Sequence, residues 1–139
     1  NRVNRFKELK IPLELNATAI HPTAIVSPGV EIGNGVLINQ YSLLQVNCSI
    51  NNFVHVYSGS LVGHESRVRD YCTIGAHAII GGRVIVNEGA HIGLNASIRE
   101  DISVGSYAIV GMSAVVTKNV NNYNTVVGNP AKQISNSNI

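Results

Sequence analysis

Branched aliphatic residues recur at every sixth position of this chain between residues 20 and 116, with no slip in register. The seventeen positions are Ile20, Val26, Ile32, Ile38, Leu44, Ile50, Val56, Val62, Val68, Ile74, Ile80, Val86, Ile92, Ile98, Val104, Val110 and Val116. Four places after each of them stands a small or β-branched residue. Because a short strand alternates its faces, one aliphatic and one small residue per hexad can share an interior. This period predicts a β-helix solenoid.

Three hexads close a triangular coil of 18 residues, so residues 18 apart are expected to stack on adjacent rungs about 4.8 Å apart. The chain therefore predicts an all-β, parallel β-helix domain at 20–120 with about five coils. Residues 1–19 break the pattern and predict a short amphipathic helix that ends near Pro12. That helix, in a chain that does not begin with Met, is expected to be the remnant of a preceding domain. Residues 121–139 are expected to form a C-terminal loop and tail.

Composition narrows the function classes. The chain has 139 residues, of which 13% are charged and 5% aromatic, with a net charge of +2. That charge is too small to indicate nucleic acid or a membrane surface as partner, and no apolar run approaches membrane-spanning length. Cys48 and Cys72 both fall on the small interior position, which predicts buried free thiols and is compatible with the cytoplasm.

His64 occupies the third place of its hexad, at a turn, where its side chain should point outward. Gly82 follows 18 residues later, so its exposed amide should lie one rung, about 4.8 Å, from the histidine. This pairing predicts a general base beside a hydrogen-bond donor for an oxyanion. Glu65 comes directly after His64 and can hold the imidazole in its basic tautomer.

Four segments carry a resemblance to a known family. They are Ala-Ile-His-Pro-Thr-Ala at 19–24, Val-Gly-His-Glu at 62–65, Gly-Met-Ser-Ala-Val-Val-Thr-Lys at 111–118 and Val-Gly-Asn-Pro-Ala-Lys at 127–132. With the hexads, they resemble the hexapeptide-repeat acyltransferases, and within them the sialic acid O-acetyltransferases and UDP-4-amino-sugar N-acetyltransferases of bacterial polysaccharide biosynthesis. The resemblance implies a left-handed coil, a hand that general chirality rules do not supply.

The resemblance also implies a cytoplasmic homotrimer with its sites between subunits. Members of the subfamily carry an N-terminal Rossmann-like domain that binds the sugar nucleotide, and only its last helix is expected to remain in this chain. In that reading, an amino or hydroxyl group of a sugar directly attacks acetyl-CoA, with His64 as general base, Glu65 supporting its charge and the Gly82 amide holding the oxyanion. His21, in its His-Pro context, is an expected contact of the sugar substrate.

The coenzyme A groove is expected along a column of small residues. Gly75, Gly93 and Gly111 stack 18 apart, and their exposed amides can pair with a pantetheine arm. The expected donor-binding residues are Thr73, Leu94, Gly111, Met112, Lys118 and Lys132. The resemblance implies that the two lysines lie near the coenzyme A phosphates, and that Thr73 replaces a second histidine that many members of the subfamily have.

Other functions stay open at this point. A serine-type O-acetyltransferase of a small metabolite would use the same chemistry. Some trimeric left-handed β-helices are zinc carbonic anhydrases, but these need two histidines five residues apart, a spacing that this chain lacks. His55 and His91 would lie two rungs apart, too far to share a metal, so no metal is expected. A non-catalytic structural β-helix would present regular threonine columns, whereas the outward positions here are mixed.

Overall fold

The computed structural model describes residues 2–136. The chain begins with helix α1, Arg2–Leu9, followed by a single 3-10 turn, Leu13–Leu15. The expected amphipathic helix is therefore present, and it ends before Pro12, whose ring cannot continue a helix. None of the helices in the described part of the chain is long and apolar enough to cross a bilayer.

Seventeen two-residue strands follow, and each ends at one of the seventeen hexad aliphatics. They are β1 Ala19–Ile20, β2 Ile25–Val26, β3 Glu31–Ile32, β4 Leu37–Ile38, β5 Leu43–Leu44, β6 Ser49–Ile50, β7 His55–Val56, β8 Leu61–Val62, β9 Arg67–Val68, β10 Thr73–Ile74, β11 Ile79–Ile80, β12 Ile85–Val86, β13 His91–Ile92, β14 Ser97–Ile98, β15 Ser103–Val104, β16 Ile109–Val110 and β17 Val115–Val116. The predicted hexad register is confirmed.

These strands form three sheets that wrap into one left-handed solenoid. Sheet A has the order β1-β4-β7-β10-β13-β16, sheet B the order β2-β5-β8-β11-β14-β17, and sheet C the order β3-β6-β9-β12-β15. Every pair within them is parallel with an 18-residue offset, as in Thr73↔His91. Seventeen strands at three per coil give five complete coils and most of a sixth, slightly more than the sequence predicted.

The core is the interior of this coil. Fourteen of the seventeen hexad aliphatics are buried, and the small interior residues between them are buried with them. Ile20 and Val26 are instead 44% and 40% exposed, and Ile32 is half-buried. These three belong to the first coil, which has a rung on one side only, so burial of all seventeen is not observed. Cys48 and Cys72 are buried free thiols, as predicted.

The turns share a backbone conformation that the hexad pattern did not predict. The fourth residue of fifteen consecutive hexads, from Gly29 to Ser113, has a positive φ, and eleven of these residues are not glycine. Left-handed backbone normally disfavours residues with a Cβ. Here each coil offers a compensating hydrogen bond to the coil below, for example from the Glu65 N–H to the Val46 carbonyl at 3.0 Å.

The C-terminal segment is more ordered than the expected loop and tail. It contains β18, Asn124–Val127, and β19, Lys132–Asn136. β18 extends sheet A in parallel beside β16, and β19 turns back antiparallel to β18. The turn between them includes a cis peptide bond before Pro130. This hairpin covers the last coil, where it buries Val126.

Candidate functional site

His64 lies on the turn between β8 and β9, at the corner where sheet B passes into sheet C. We call this edge of the solenoid the B/C corner. The backbone of the turn is held from the coil below, because the His64 N–H donates to Gln45 Oε1 at 3.0 Å. The His64 carbonyl in turn accepts from the Arg83 N–H of the coil above at 2.8 Å. Gln45 was not identified from the sequence, since nothing in the hexad pattern indicates a side-chain contact between coils.

The imidazole of His64 is oriented by its neighbour. Its Nδ1 lies 3.2 Å from Glu65 Oε2, and the two side chains are 43% and 56% exposed. The positive φ of Glu65, 58°, turns its side chain beside the ring. A carboxylate accepts only, so Nδ1 carries the proton in this contact and Nε2 is left as the basic nitrogen. The predicted pairing of His64 with Glu65 is therefore present in the geometry.

Gly82 lies against the same ring, one coil above. A Cβ built on Gly82 would overlap the His64 imidazole, with Cε1 at 2.7 Å and Cδ2 at 2.8 Å, and Nε2 is its nearest atom. Only a glycine leaves this space for the ring. Among the described residues, the Gly82 N–H has no hydrogen-bond acceptor. A basic nitrogen and an unoccupied amide donor thus lie side by side.

Charged side chains surround this turn. In the column of Glu65, Arg83 donates through Nε and Nη2 to the two Asp101 oxygens at 2.6 and 2.7 Å. These hydrogen bonds lower the pKa of the Asp101 carboxyl and raise that of the Arg83 guanidinium. The ion pair cross-links the two coils above His64.

Two of the predicted donor residues, Thr73 and Leu94, lie on a different edge, where sheet A passes into sheet B, which we call the A/B corner. An apolar cavity of about 270 Å³ there is lined by Thr73 and Leu94 together with Tyr57, Gly75, Ala76 and His91. Thr73 pairs in register with His55 on one side and His91 on the other, as the 18-residue stacking predicted.

The remaining donor candidates are divided between the two corners. Gly111 and Met112 continue the A/B corner, where Met112 is 71% exposed and Gly111 packs against Val127. Lys118 instead follows β17 at the B/C corner, and it contributes to a cavity of about 190 Å³ beside the C-terminal hairpin. Lys132 is exposed and opens β19. One chain therefore does not bring all six residues into one cavity.

His21 lies at the A/B corner of the first coil, where its Nδ1 contacts Thr23 Oγ1 at 2.9 Å. It is exposed. Within one chain it lies two coils below the level of His64 and at another corner, so the structure does not bring the two histidines together.

Other chemistries find little support in the side chains. No group of three or more His, Cys, Asp or Glu residues suited to a metal ion occurs among the described residues. Burial raises the pKa of the Cys48 thiol to about 11. Cys72 is fully buried, and its Sγ donates to the Asn87 carbonyl at 3.0 Å. A nucleophilic cysteine must reach the substrate as a thiolate, which neither position favours.

No protein-family model matches the chain. Over 51 residues it is 41% identical to acyl-[acyl-carrier-protein]–UDP-N-acetylglucosamine O-acyltransferase of Brucella ovis. This match covers 37% of the chain and 14% of that relative.

Solved structures match almost the whole chain. A mutant of perosamine N-acetyltransferase from Caulobacter crescentus, in complex with CoA and GDP-perosamine, superimposes with a TM-score of 0.88 at 26% identity. The match covers 97% of this chain and 63% of that one. WeeI from Acinetobacter baumannii AYE gives 0.89 at 34% identity, covering 96% and 67%. The acetyltransferase domain of PglB from Neisseria gonorrhoeae FA1090, in complex with acetyl coenzyme A, gives 0.86 at 29% identity, covering 95% and 63%.

Proposed function

This chain belongs to the hexapeptide-repeat acyltransferases with a left-handed β-helix, and on that basis we propose that it transfers an acetyl group from acetyl-CoA to a sugar. The acceptor is an amino or hydroxyl group of a nucleotide-linked amino sugar or of a sialic acid. The single observation that carries this proposal is the juxtaposition of the His64 imidazole with the unoccupied Gly82 amide. Acetyl-CoA as donor agrees with a cytoplasmic location.

The proposed reaction is direct acyl transfer. The acceptor nitrogen or oxygen attacks the thioester carbonyl carbon while His64 Nε2 removes its proton. The carbonyl oxygen becomes negative, and the Gly82 N–H donates a hydrogen bond to it. The C–S bond then breaks, and the coenzyme A thiolate receives the proton from His64. Glu65, bonded to Nδ1, stabilises the imidazolium that forms between these two steps.

The division of the site between two corners supports a homotrimer. The cavity at Thr73 and Leu94 lies at the A/B corner, and His64 lies at the B/C corner, so the outer face of sheet B separates them. That face is mostly apolar, with outward side chains Ile25, Leu43, Leu61, Ile79, Ser97 and Val115. Packing of this face against a second copy would bring one chain's donor groove beside its neighbour's His64. Three such contacts would give three equivalent sites.

The proposal is tested with acetyl-CoA and a panel of nucleotide-linked amino sugars, sialic acids and serine, by following release of the coenzyme A thiol. His64→Ala should reduce kcat by about 10²–10⁴-fold, as expected for loss of a general base, with little change in the KM for acetyl-CoA. Glu65→Gln should cost less, since it removes only the support of the base. Transfer to serine but to no sugar would overturn the acceptor class.

Assembly is tested separately by light scattering on the purified chain. A trimer is expected, and Ile79→Asp, on the outer face of sheet B, should dissociate it and abolish turnover. Monomers that keep coenzyme A affinity and turnover would overturn the shared site.

A further inference from the structure

A third cavity lies immediately beside the His64 turn, on the outer face of sheet C. It has a volume of about 440 Å³, within the usual range for small-molecule sites. Its polar lining consists of Glu31, Asn47, Ser49, Asn51, Arg67 and Arg69. We call it the arginine groove. Its members follow the 18-residue stacking, since Glu31, Ser49 and Arg67 lie in one column on sheet C and Asn51 and Arg69 are also 18 residues apart.

The two arginines are the distinctive feature of the groove. Both are exposed. Among the described residues neither side chain forms an ion pair or a hydrogen bond, unlike Arg83, which is bonded to Asp101. Glu31 is the only acidic residue in the lining, so the groove carries a net positive charge. A guanidinium group is suited to paired hydrogen bonds with phosphate or carboxylate oxygens.

The groove is also close to the proposed base. Arg67 is three residues beyond His64, so their Cα atoms are at most about 11 Å apart. Asn47 lies one rung below Glu65. The groove extends from the coil of His64 towards the N-terminal end of the solenoid, whereas Gly93 and Gly111 of the donor column lie on coils towards the C-terminal end.

We propose that the arginine groove binds the anionic group of the acceptor, with Arg67 and Arg69 holding it so that the sugar ring reaches His64. The amide and hydroxyl groups of Asn47, Ser49 and Asn51 are suited to sugar hydroxyls. This inference rests on the proposed acetyl transfer to a sugar and adds the residues that select the acceptor. The anion is either the diphosphate of a nucleotide-linked sugar or the carboxylate of a sialic acid, since both offer the same paired oxygens.

The test measures binding to the whole 139-residue chain by calorimetry, with no turnover needed. UDP represents the diphosphate, N-acetylneuraminate represents the carboxylate, and N-acetylglucosamine is the uncharged comparison. Arg67→Gln and Arg69→Gln should each weaken binding of the preferred anion at least about tenfold, because a charge-assisted hydrogen bond is lost. Arg5→Gln, on helix α1 outside the groove, is the matched control and should leave the affinity unchanged.

A substitution of opposite sign sharpens the test. Glu31→Gln removes the only carboxylate of the groove and should tighten anion binding a few-fold. Added salt should weaken binding to the wild-type chain, since the contacts are solvent-exposed charges. If neither anion binds, or if both arginine variants bind as well as the wild type, the inference is overturned.

Turnover then separates this inference from the proposed function. With an acceptor that the wild-type chain acetylates, Arg67→Gln and Arg69→Gln should raise the acceptor KM and leave the KM for acetyl-CoA unchanged. Unchanged acceptor KM values would overturn the groove while leaving acetyl transfer intact. If the anion binds in a way that depends on the two arginines but no sugar is acetylated, the proposed function is overturned. The arginine groove would then still be an anion-binding site.

Discussion

Gly82→Ala is the most direct perturbation of the proposed site, because it adds a single methyl group against the His64 ring. The Cβ would lie 2.7 Å from Cε1 and 2.8 Å from Cδ2 of the imidazole. Two carbon atoms in favourable contact are about 3.5–4.0 Å apart, so the ring must shift by about 1 Å. The φ of Gly82 lies outside the left-handed region, so alanine is tolerated by the backbone, and the amide stays in place.

Displacement of a reacting group by about 1 Å can cost on the order of 10²-fold in rate. We therefore expect kcat to fall about 10²-fold, equivalent to about 2.7 kcal/mol of barrier. The assay follows thiol release from acetyl-CoA with an acceptor that the wild-type chain acetylates, and a thermal melt is recorded alongside it. The melting temperature and the KM for acetyl-CoA should stay close to wild type, because the donor cavity lies at the other corner.

A double-mutant cycle isolates the mechanism. In a His64→Ala background the ring is gone, so Gly82→Ala should cause no further loss. Retention of wild-type kcat by Gly82→Ala alone would refute the view that the two residues form one site. A further loss of activity in the His64→Ala background would show that the methyl group acts through something other than the imidazole.

Three further outcomes concern the scaffold. Ile74→Ala, at a fully buried rung, should lower the free energy of unfolding by about 2–5 kcal/mol in urea titrations; Ile20→Ala, at a position 44% exposed, should cost clearly less, and equal losses would contradict the burial argument. Since Arg83 lowers the pKa of Asp101, their pair stabilises the fold above the ordinary aspartate value of 3.8 and ceases to do so as pH falls through the lowered pKa. Asp101→Asn should therefore be less stable than wild type at pH 7 and converge with it in acid. The hydrogen bond from the Tyr107 hydroxyl to Glu88 raises the pKa of Tyr107 to about 12. The contribution of this hydrogen bond to the stability of the fold is therefore complete below pH 10 and is lost as pH rises through 12. Tyr107→Phe should remove the last tyrosine ionisation in an ultraviolet titration.

The sequence by itself determined the coil and its register. Each strand ends at a hexad aliphatic because each face of the coil must bury one side chain. A period of six residues supplies one such side chain to every face. The same arithmetic placed Gly82 one coil above His64, and Thr73 between His55 and His91. In a repeat of this kind, residue numbers alone predict which residues are neighbours, since each coil contacts only the coils above and below it.

The tertiary structure decided the features that depend on hydrogen bonds and polar side-chain contacts between coils. The positive φ of Glu65 is stabilised by a hydrogen bond to Val46, and Gln45 holds the His64 turn through a side chain whose reach no periodicity describes. The exposure of Ile20 follows from its lying on an end coil, and only the structure shows that Arg67 and Arg69 form no ion pair among the described residues, whereas Arg83 pairs with Asp101. Periodicity specifies which residues stack, whereas side-chain direction and the ends of the solenoid depend on hydrogen bonds and neighbours that only the closed coil provides.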